Sequence, residues 1–580
     1  MSVLVGNELR GSASSTLSTG NLKGYPVSYN YDEAWANIGA YDSSLAQTAP
    51  SNNVGVPERN VSFFGRLNYS LKDKYLLTIT ARADASSKFT KNNRWGYFPA
   101  AAVAWRLGDE SFFEGSREWL SNLKLRLSYG TAGSDNINSS LWQTSFTSGT
   151  SARDGVQMLT YSNSLLGNPD LKWETTISRN IGLDFGLINN RVSGNIDVYW
   201  NTTKDLLITV PVSVTTGSKY QYQNVGKTSN KGIEFAINAN IIHTKDFDFN
   251  VSATYNYNKN NIDELKEGVS TLYGSTWGSS DQVPQLDYEY IVGQPVGTVR
   301  GFKCVGFYTV DDFEYINGQY CLPVNEDGKR EGDFAFTTLY GANMTKEGGA
   351  GFNVPKGQSA FPGAAKFEDV NKDGVIDDND VTSLGSITPA HTGGFNLSAK
   401  YKGFDFGATF AWAIGGHVYN AVAMNSLSAS KSSLGSNRLS FIRECFQVQK
   451  FDDKGDVYLV TDPDELKQMN ANSKYYLPTL NPYVISTFFE DASYLRLNSL
   501  TLGYSLPKEF VKHLAMQKLR LYVTASNLLT ITGYSGLDPE VSSADDKGGK
   551  QNSGKFPTIG LDWGAYPRAK SFTFGLNVEF

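Results

Sequence analysis

The stretch FDFNVSATYNYN, residues 247–258, decides the fold class. Phe247, Phe249, Val251, Ala253, Tyr255 and Tyr257 alternate without exception with Asp248, Asn250, Ser252, Thr254, Asn256 and Asn258. A repeat of two sends successive side chains to opposite faces of a strand, so the segment predicts a β-strand with one apolar and one polar face. LKLRLSYG (123–130) alternates in the same way, with Leu123, Leu125, Leu127 and Tyr129 against Lys124, Arg126 and Ser128. The chain's last ten residues set Phe572, Phe574, Leu576, Val578 and Phe580 against Ser571, Thr573, Gly575, Asn577 and Glu579. Each run has about ten residues, the span of a tilted strand across a bilayer.

Such segments number about fourteen, near 1–6, 61–71, 75–88, 97–107, 122–131, 175–188, 191–203, 229–242, 246–259, 393–402, 404–416, 493–505, 518–530 and 570–580. In YLRLNSLTLGYSLP the apolar phase runs through Leu495 and Leu497, then shifts to Leu500, Leu502 and Tyr504, which predicts a β-bulge near Asn498–Ser499. Tight turns are expected at 72–74, 189–190, 243–246 and 402–403, where Gly, Asn and Lys-Asp pairs suit hairpins. The alternate connections are long, roughly 133–173, 261–391, 421–490 and 531–569. Short turns at one end and long loops at the other describe an outer-membrane barrel, with its turns in the periplasm and its loops outside the cell.

Composition narrows the remaining classes. The 580 residues carry a net charge of −6, and no basic block stands out, which argues against a nucleic-acid partner. Mean hydropathy is −0.34 and no apolar run reaches about 18 residues, so no ordinary transmembrane helix is expected. Strands escape that test because only alternate residues are apolar. The start, MSVLVGNELR, lacks the basic and apolar regions of a signal peptide, which leaves a cytoplasmic protein or a chain whose true N-terminus lies upstream. Cys304 and Cys321 allow a disulfide in an exported protein, against the alternative of free thiols.

The quoted strands and their neighbours carry a family likeness. FFGRLNYSLKDKYLLTITARADASSKF (63–89), RWGYFPAAAVAWRL (94–107), WLSNLKLRLSYGTAGS (119–134), GNPDLKWE (167–174), NVGKTSNKGIEF (224–235), FEDVNKDGVIDDND (367–380), SYLRLNSLTLGYSLP (493–507) and YPRAKSFTFGLNVEF (566–580) occur in one order. In these pieces the chain resembles the SusC/RagA family of TonB-dependent outer-membrane transporters. The resemblance implies an all-β transmembrane antiparallel barrel of about 22 strands, of which this chain supplies about fourteen C-terminal ones. It further implies a plug domain, a TonB box that engages the TonB complex, a SusD-like surface lipoprotein as lid, and import of oligosaccharides or similar large nutrients. Plug and TonB box are not found in this sequence, so the chain is expected to be an N-terminally truncated part of a longer protein. A siderophore or cobalamin receptor, and a secreted soluble glycan-binding β-protein, are the alternatives.

Three groups of residues are candidates for function. DVNKDGVIDDND places Asp369, Asn371, Asp373, Val375, Asp377 and Asp380 at the spacing of an EF-hand calcium loop, with Gly374 at the sharp turn. Its flanks are neither long nor amphipathic, so the expectation is one structural Ca²⁺ on an external loop, set against a solvated turn without metal. On the polar faces of strands stand Arg66, Arg82, Arg126, Asp197, Glu234 and Arg520. A charge facing lipid at mid-membrane costs about 2–4 kcal/mol, so these should face the lumen, chiefly as members of ion pairs between wall and plug. Loop aromatics Trp142, Tyr161, Tyr273, Trp277, Tyr288, Tyr290, Tyr475, Tyr476 and Tyr483 suit stacking on sugar rings, packing within the loops, or contact with a lid. Trp105 and Tyr129 are expected in the interfacial aromatic girdle. No catalytic constellation is expected: the four histidines never fall at i, i+4, and GKT at 226–228 lacks the first glycine of a P-loop, Gln221 standing there.

Overall fold

The computed structural model describes residues 1–18, 51–144, 146–153, 156–162, 165–218, 220–266, 271–275, 288–316, 319–321, 333–334, 352–355, 361–372, 375–376, 378–427, 437–478, 484–513, 515–540, 560–562 and 564–580. Fourteen strands form its principal sheet: β1 (Ser2–Ser12), β2 (Glu58–Leu71), β3 (Tyr75–Ser86), β4 (Trp95–Trp105), β5 (Leu120–Ser134), β6 (Glu174–Leu187), β7 (Val192–Lys204), β8 (Lys227–His243), β9 (Phe247–Glu264), β10 (His391–Tyr401), β11 (Phe404–Ile414), β12 (Tyr494–Ser505), β13 (Lys518–Thr532) and β14 (Ser571–Glu579). They follow one another across the sheet in chain order, from β1 at one end to β14 at the other. No helix among the described residues is long and apolar enough to cross a membrane.

All fourteen expected strands are present. β1 extends well past residue 6, because Asn7–Ser12 pair with Glu58–Phe63 of β2 although their own sequence does not alternate. β9 likewise continues to Glu264 through the polar run after Asn258. The turns have the expected chemistry. Lys402 (φ 44°) and Gly403 (φ 92°) both take the left-handed conformation of a two-residue hairpin, and Tyr401 pairs with Phe404 across it. Lys72 and Asp73 are also left-handed, as are Ile188, Asn189 and Asn190. The bulge falls where the phase shifts: Leu497 and Ser499 pair with both neighbouring strands while Asn498 is left out of the ladder.

Two compact units divide the chain. The first comprises 1–117, 122–184 and 199–229, the second 118–121, 185–198 and 230–580. In the first, a small core of Phe89, Ile137 and Leu171 lies under Leu141, Trp173, Leu207 and Tyr222. In the second, the long connections carry most of the core. Val299, Phe302, Phe367, Tyr419, Leu427, Val484, Ile485 and Leu561 belong to one cluster, and Tyr320, Phe446, Val448, Leu466 and Leu477 to another. Short strands bind these segments together: Thr298–Gly301 with Thr382–Ser386, and His417–Asn420 with Phe489–Asp491 and, in parallel, with Leu561–Asp562. Helices α1 (Ala421–Leu427) and α2 (Pro463–Met469) complete this cap.

Candidate functional site: the two-faced wall and its polar cleft

Register fixes which residues share a face. In the first unit, Leu4 lies opposite Arg66, Arg66 opposite Thr80, Phe64 opposite Arg82, and Ala104 opposite Arg126. Arg66, Arg82 and Arg126 therefore stand on the same side, with Thr78, Thr80 and Asp84. The other side presents Phe63, Leu71, Tyr75, Ile79, Trp95 and Val103 to the surroundings, all exposed. Large apolar side chains on the outside and charges on the inside reverse the order of a soluble sheet and fit a wall in lipid.

Aromatic rings mark the limits of that apolar face. Tyr75 and Trp105 stack at one end of β3 and β4, with ring centroids 6.2 Å apart, and Phe63 and Trp95 stack at the other, also at 6.2 Å. Trp95 and Trp105 are the first and last residues of β4. Ten steps of ~3.4 Å at a tilt of ~40° span ~26 Å along the membrane normal, the height of a barrel's apolar band. The second unit repeats the pattern. Phe247 meets Tyr401 and Phe404 meets Tyr504 near the short turns, while Tyr255 stacks on Trp412 and Tyr257 lies against His391 at the far ends. Trp105 thus belongs to a girdle, anchored by Glu110, whose carboxylate accepts from Tyr75 Oη (2.7 Å), Trp105 Nε1 (3.1 Å) and Lys74 (3.2 Å). The Tyr75, Trp105 and Lys74 hydrogen bonds hold the Glu110 carboxyl below its ordinary range. Tyr129 does not join that stack: it pairs with Ala101, which pairs with Ile79, four residues along β3 from Tyr75.

Arg82, Arg126 and Arg520 of the polar face form ion pairs within the wall. Arg82 binds Asp84 (2.8 Å), Glu8 (3.3 Å) and Ser62 (2.9 Å), and its guanidinium lies over the Phe64 ring. Arg126 and Lys124 share Asp184, and Arg66 donates to Thr80. In the second unit Asp197 is buried and accepts from Asn195, while Glu234 is exposed. Arg520 grips Asp405 with two hydrogen bonds, 2.8 and 2.5 Å, across Gly503, where a Cβ would lie 2.5 Å from both partners.

Around Arg82 the wall opens into a cleft of about 340 Å³ at the long-connection ends of β1–β3. Glu8, Arg10, Glu58, Asn60, Ser62, Asp84, Lys88, Asp135 and Trp173 line it with Arg82. Asp135 accepts from Asn60 (3.1 Å) and Ser86 (2.7 Å), Lys88 pairs with Glu58 (3.6 Å), and Ser139 donates to Glu58 (2.6 Å). The result is an array of donors and acceptors, three cations against four carboxylates, beside one indole. Only Arg82 of this set stood out in the sequence. Glu58, Lys88, Asp135 and Trp173 lie at strand ends or in connections, where alternation carries no signal.

The calcium-like loop lies between the short strands Ala365–Phe367 and Thr382–Ser386, so helix–loop–helix architecture is absent there. Asp380 is fully buried, and its Oδ1 accepts from the Val370 and Asn371 amides at 2.8 and 3.4 Å. Asp369 accepts from the Lys372 amide at 2.6 Å, with Lys372 left-handed. Val375 pairs in parallel with Phe352, and Asp373, Gly374 and Asp377 lie outside the described residues. Among the described residues no group of three His, Cys, Asp or Glu side chains is arranged to hold a metal.

Of the loop aromatics, Tyr476 is buried in the cap core, and Tyr290 and Tyr475 pack against it, Tyr475 with its ring 5.1 Å from Phe441. Trp142 is half-buried. Tyr161, Tyr273 and Tyr288 fall on the strands Val156–Ser162, Thr271–Ser275 and Tyr288–Ile291, and Trp277 and Tyr483 lie outside the described residues. Of the Cys304–Cys321 pair, the Cys321 side chain lies outside the described residues. Cys304 is a free thiol that donates to the Gly306 carbonyl, on a strand paired with Ala365–Phe367. Cys445 is buried, and that burial, with Glu444 nearby, pushes its thiol up to about 12.

Comparison with known proteins agrees with this geometry. Residues 4–528 match the family model described as TonB dependent receptor-like, beta-barrel. TonB-dependent receptor P3 of Formosa agariphila is 31% identical over 90% of this chain and 45% of its own length. TonB-dependent receptor SusC of Bacteroides thetaiotaomicron is 31% identical over 90% of this chain and 44% of its own. The solved structure of the RagAB peptide transporter superposes with a TM-score of 0.65 at 26% identity, over 94% of this chain and 50% of that one. The chain thus spans about half the length of the curated relatives it matches. It belongs to the TonB-dependent receptor β-barrel family, SusC/RagA type, whose place is the bacterial outer membrane.

Proposed function

We propose that this chain forms wall and outer cap of a TonB-dependent importer of oligosaccharides or similar large nutrients. It would work with a SusD-like surface lipoprotein, driven by the TonB complex through a plug region. The polar cleft around Arg82 is the observation that carries the reading. A hydroxyl-rich solute needs many fixed donors and acceptors and little net field, with one aromatic face, and the cleft supplies that mixture. The long connections face outward and the short turns face the periplasm, as in other outer-membrane barrels. A sheet order running from β1 to β14 leaves an unpaired edge on β1 and on β14, which bilayer hydrocarbon does not tolerate. That supports further strands completing the wall, and so a longer parent protein.

Growth of a strain deleted for the parent gene tests the transport reading. Loss of growth on one class of oligosaccharide, restored by the gene, is expected; undiminished growth on every glycan would count decisively against it. Peptide import is the second reading, supported by the likeness to the RagAB peptide transporter and by the mixed charges of the cleft. Growth on peptides as sole nitrogen source separates the two.

For the loop at 369–380 we propose one structural Ca²⁺, held by Asp369, Asn371, Asp373, Asp377 and the Val375 carbonyl, with Asp380 bracing the loop from within. Calcium titration of the purified protein should show uptake that Asp373→Ala removes. Equal uptake by both would leave the loop a metal-free turn.

A further inference from the structure

The lipid-facing side of the second unit is not uniformly convex. Between β10 and β14 it carries a groove of about 520 Å³, walled by Tyr401, Phe404 and Phe574 and floored by Ala399, Leu502 and Val523. The groove exists because small residues stand between large ones. Ala399 lines it beside Tyr401 and Phe404, and Phe404, Leu502 and Phe574 remain exposed around it. Phe395 and Phe410, stacked with centroids 4.4 Å apart, close the face further along β10 and β11.

One end of the groove lies at the short turns. There the Tyr504 ring rests against Gly403, 3.3 Å from where its Cβ would be, and Lys402 places its ammonium 5.3 Å from the centroid of the Tyr401 ring. Tyr401 belongs to the apolar face, so that cation stands on the lipid side of the wall, at girdle level. Lys245 lies in the adjacent turn, whose Asp246 carbonyl accepts the Lys402 amide, and Asp405, the acid that lines the groove, is held by Arg520. An apolar channel continuous with the membrane surface, capped by a cation and a phenol at headgroup depth, has the layout of one lipid chain and its phosphate.

We propose that this groove is a binding site for an anionic phospholipid of the inner leaflet, its acyl chain along Ala399, Leu502 and Val523 and its phosphate at Lys402. The leaflet rests on the reading that the short turns face the periplasm; the groove and its cation do not. A resident lipid fills a concavity that mobile chains pack poorly and ties the turn between β10 and β11 to the membrane.

The test uses the full-length transporter in nanodiscs of phosphatidylethanolamine with phosphatidylglycerol, followed by native mass spectrometry of the lipid retained in detergent. Lys402→Asn removes the charge but keeps a residue that tolerates the left-handed turn. It should lower phosphatidylglycerol retention about fivefold, the weight of one basic side chain at an anionic surface, and leave phosphatidylethanolamine unchanged. Ala399→Phe fills the groove with another apolar group and should lower retention of both lipids. Equal retention by wild type and both variants would overturn the site. Sidedness is read separately by a membrane-impermeant maleimide on intact cells carrying Lys245→Cys. No labelling above the wild-type background is expected, and added labelling from outside would overturn the inner-leaflet assignment alone.

Discussion

Arg496 of β12 and Asp538 of the last long connection form a buried, two-pronged ion pair, Nη2 to Oδ1 at 2.5 Å and Nη1 to Oδ2 at 3.2 Å. Glu540 adds a second carboxylate to the same guanidinium at 3.2 Å and reaches on to Arg568. The pair ties the connection between β13 and β14 to the wall. Nearby, Tyr534 donates to Asp562, and Asn420, Glu490 and Ser535 hydrogen-bond one another, fastening that connection to the cap. Truncating one member of a buried pair leaves the other uncompensated, at about 3–5 kcal/mol. Arg496→Ala should therefore release residues 533–540 and 560–568 while the strands persist. Hydrogen exchange should show protection lost in these segments and kept in β3 and β4; unchanged protection in 533–540 would contradict the tether.

The same tether predicts how the cap responds to pH. Burial works to raise the Asp538 carboxyl, but the Arg496 hydrogen bonds and the backbone amides of Glu540 and Arg568 outweigh it and hold it below the ordinary carboxylate range. A depressed folded-state value means stability present above the unfolded value, ~3.9, and lost as pH falls through the folded one. Tyr534 has the opposite sign. Burial, with the hydrogen bond to Asp562, raises it well above ~10, so its contribution is complete below ~10 and is lost as pH climbs past that value. Protease resistance of the cap should be flat from about pH 5 to 9 and fall at both extremes. With Asp538→Asn the acid limb should shrink and the alkaline limb remain.

Sequence and structure agree best where a strand has two different environments. Along β9 each second residue meets lipid, so Phe247 to Tyr257 alternate and the strand is legible by itself. Even the irregularity at Asn498 leaves its mark, because a bulge must shift the apolar phase. The cap is illegible for the converse reason. His417–Asn420 is four residues long and buried on both faces, so no period develops, and its partners at 489–491 and 561–562 are far off in the chain. The cleft was half visible: Arg82 sits within an alternating strand, whereas Asp135 reaches Ser86 only through the turn that ends β5. Arg496 stood in the alternation too, but nothing local shows that its partner comes from the connection 42 residues later.

Gly393 on β10 has a steric role that no periodicity reports. A Cβ there would lie 2.4 Å from the Thr254 carbonyl oxygen and 2.6 Å from the Trp412 indole. The absence of a side chain lets Trp412 lie over the backbone and stack on Tyr255, with centroids 6.0 Å apart. Since the closest atom is backbone, Gly393→Ala cannot be absorbed by a rotamer change and should cost about 1–3 kcal/mol. Gly407, with nothing within 4 Å of its Cβ position, is the control on the neighbouring strand. The temperature at which the folded band is lost in heat-modifiability gels should drop for Gly393→Ala and hold for Gly407→Ala. Equal temperatures would show that the girdle does not need the glycine.

Arg82 decides what the cleft can bind. With Arg82 present, Glu8 and Asp84 are neutralised and Ser62 is held in place; with Arg82→Gln, two carboxylates face the same space without their cation. If the bound solute is a neutral oligosaccharide, the loss of charge-assisted hydrogen bonds costs about 1.5–3 kcal/mol, tenfold or more in affinity. Added salt should change that little, since a neutral ligand has no screened attraction to lose. If the solute is a peptide, the variant should instead favour cationic sequences, with an advantage that fades as salt rises. Calorimetric titration of wild type and Arg82→Gln with one neutral oligosaccharide series and one lysine-rich peptide series, at low and high salt, separates the two. Affinity for both series unmoved by Arg82→Gln would place solute binding elsewhere than in this cleft.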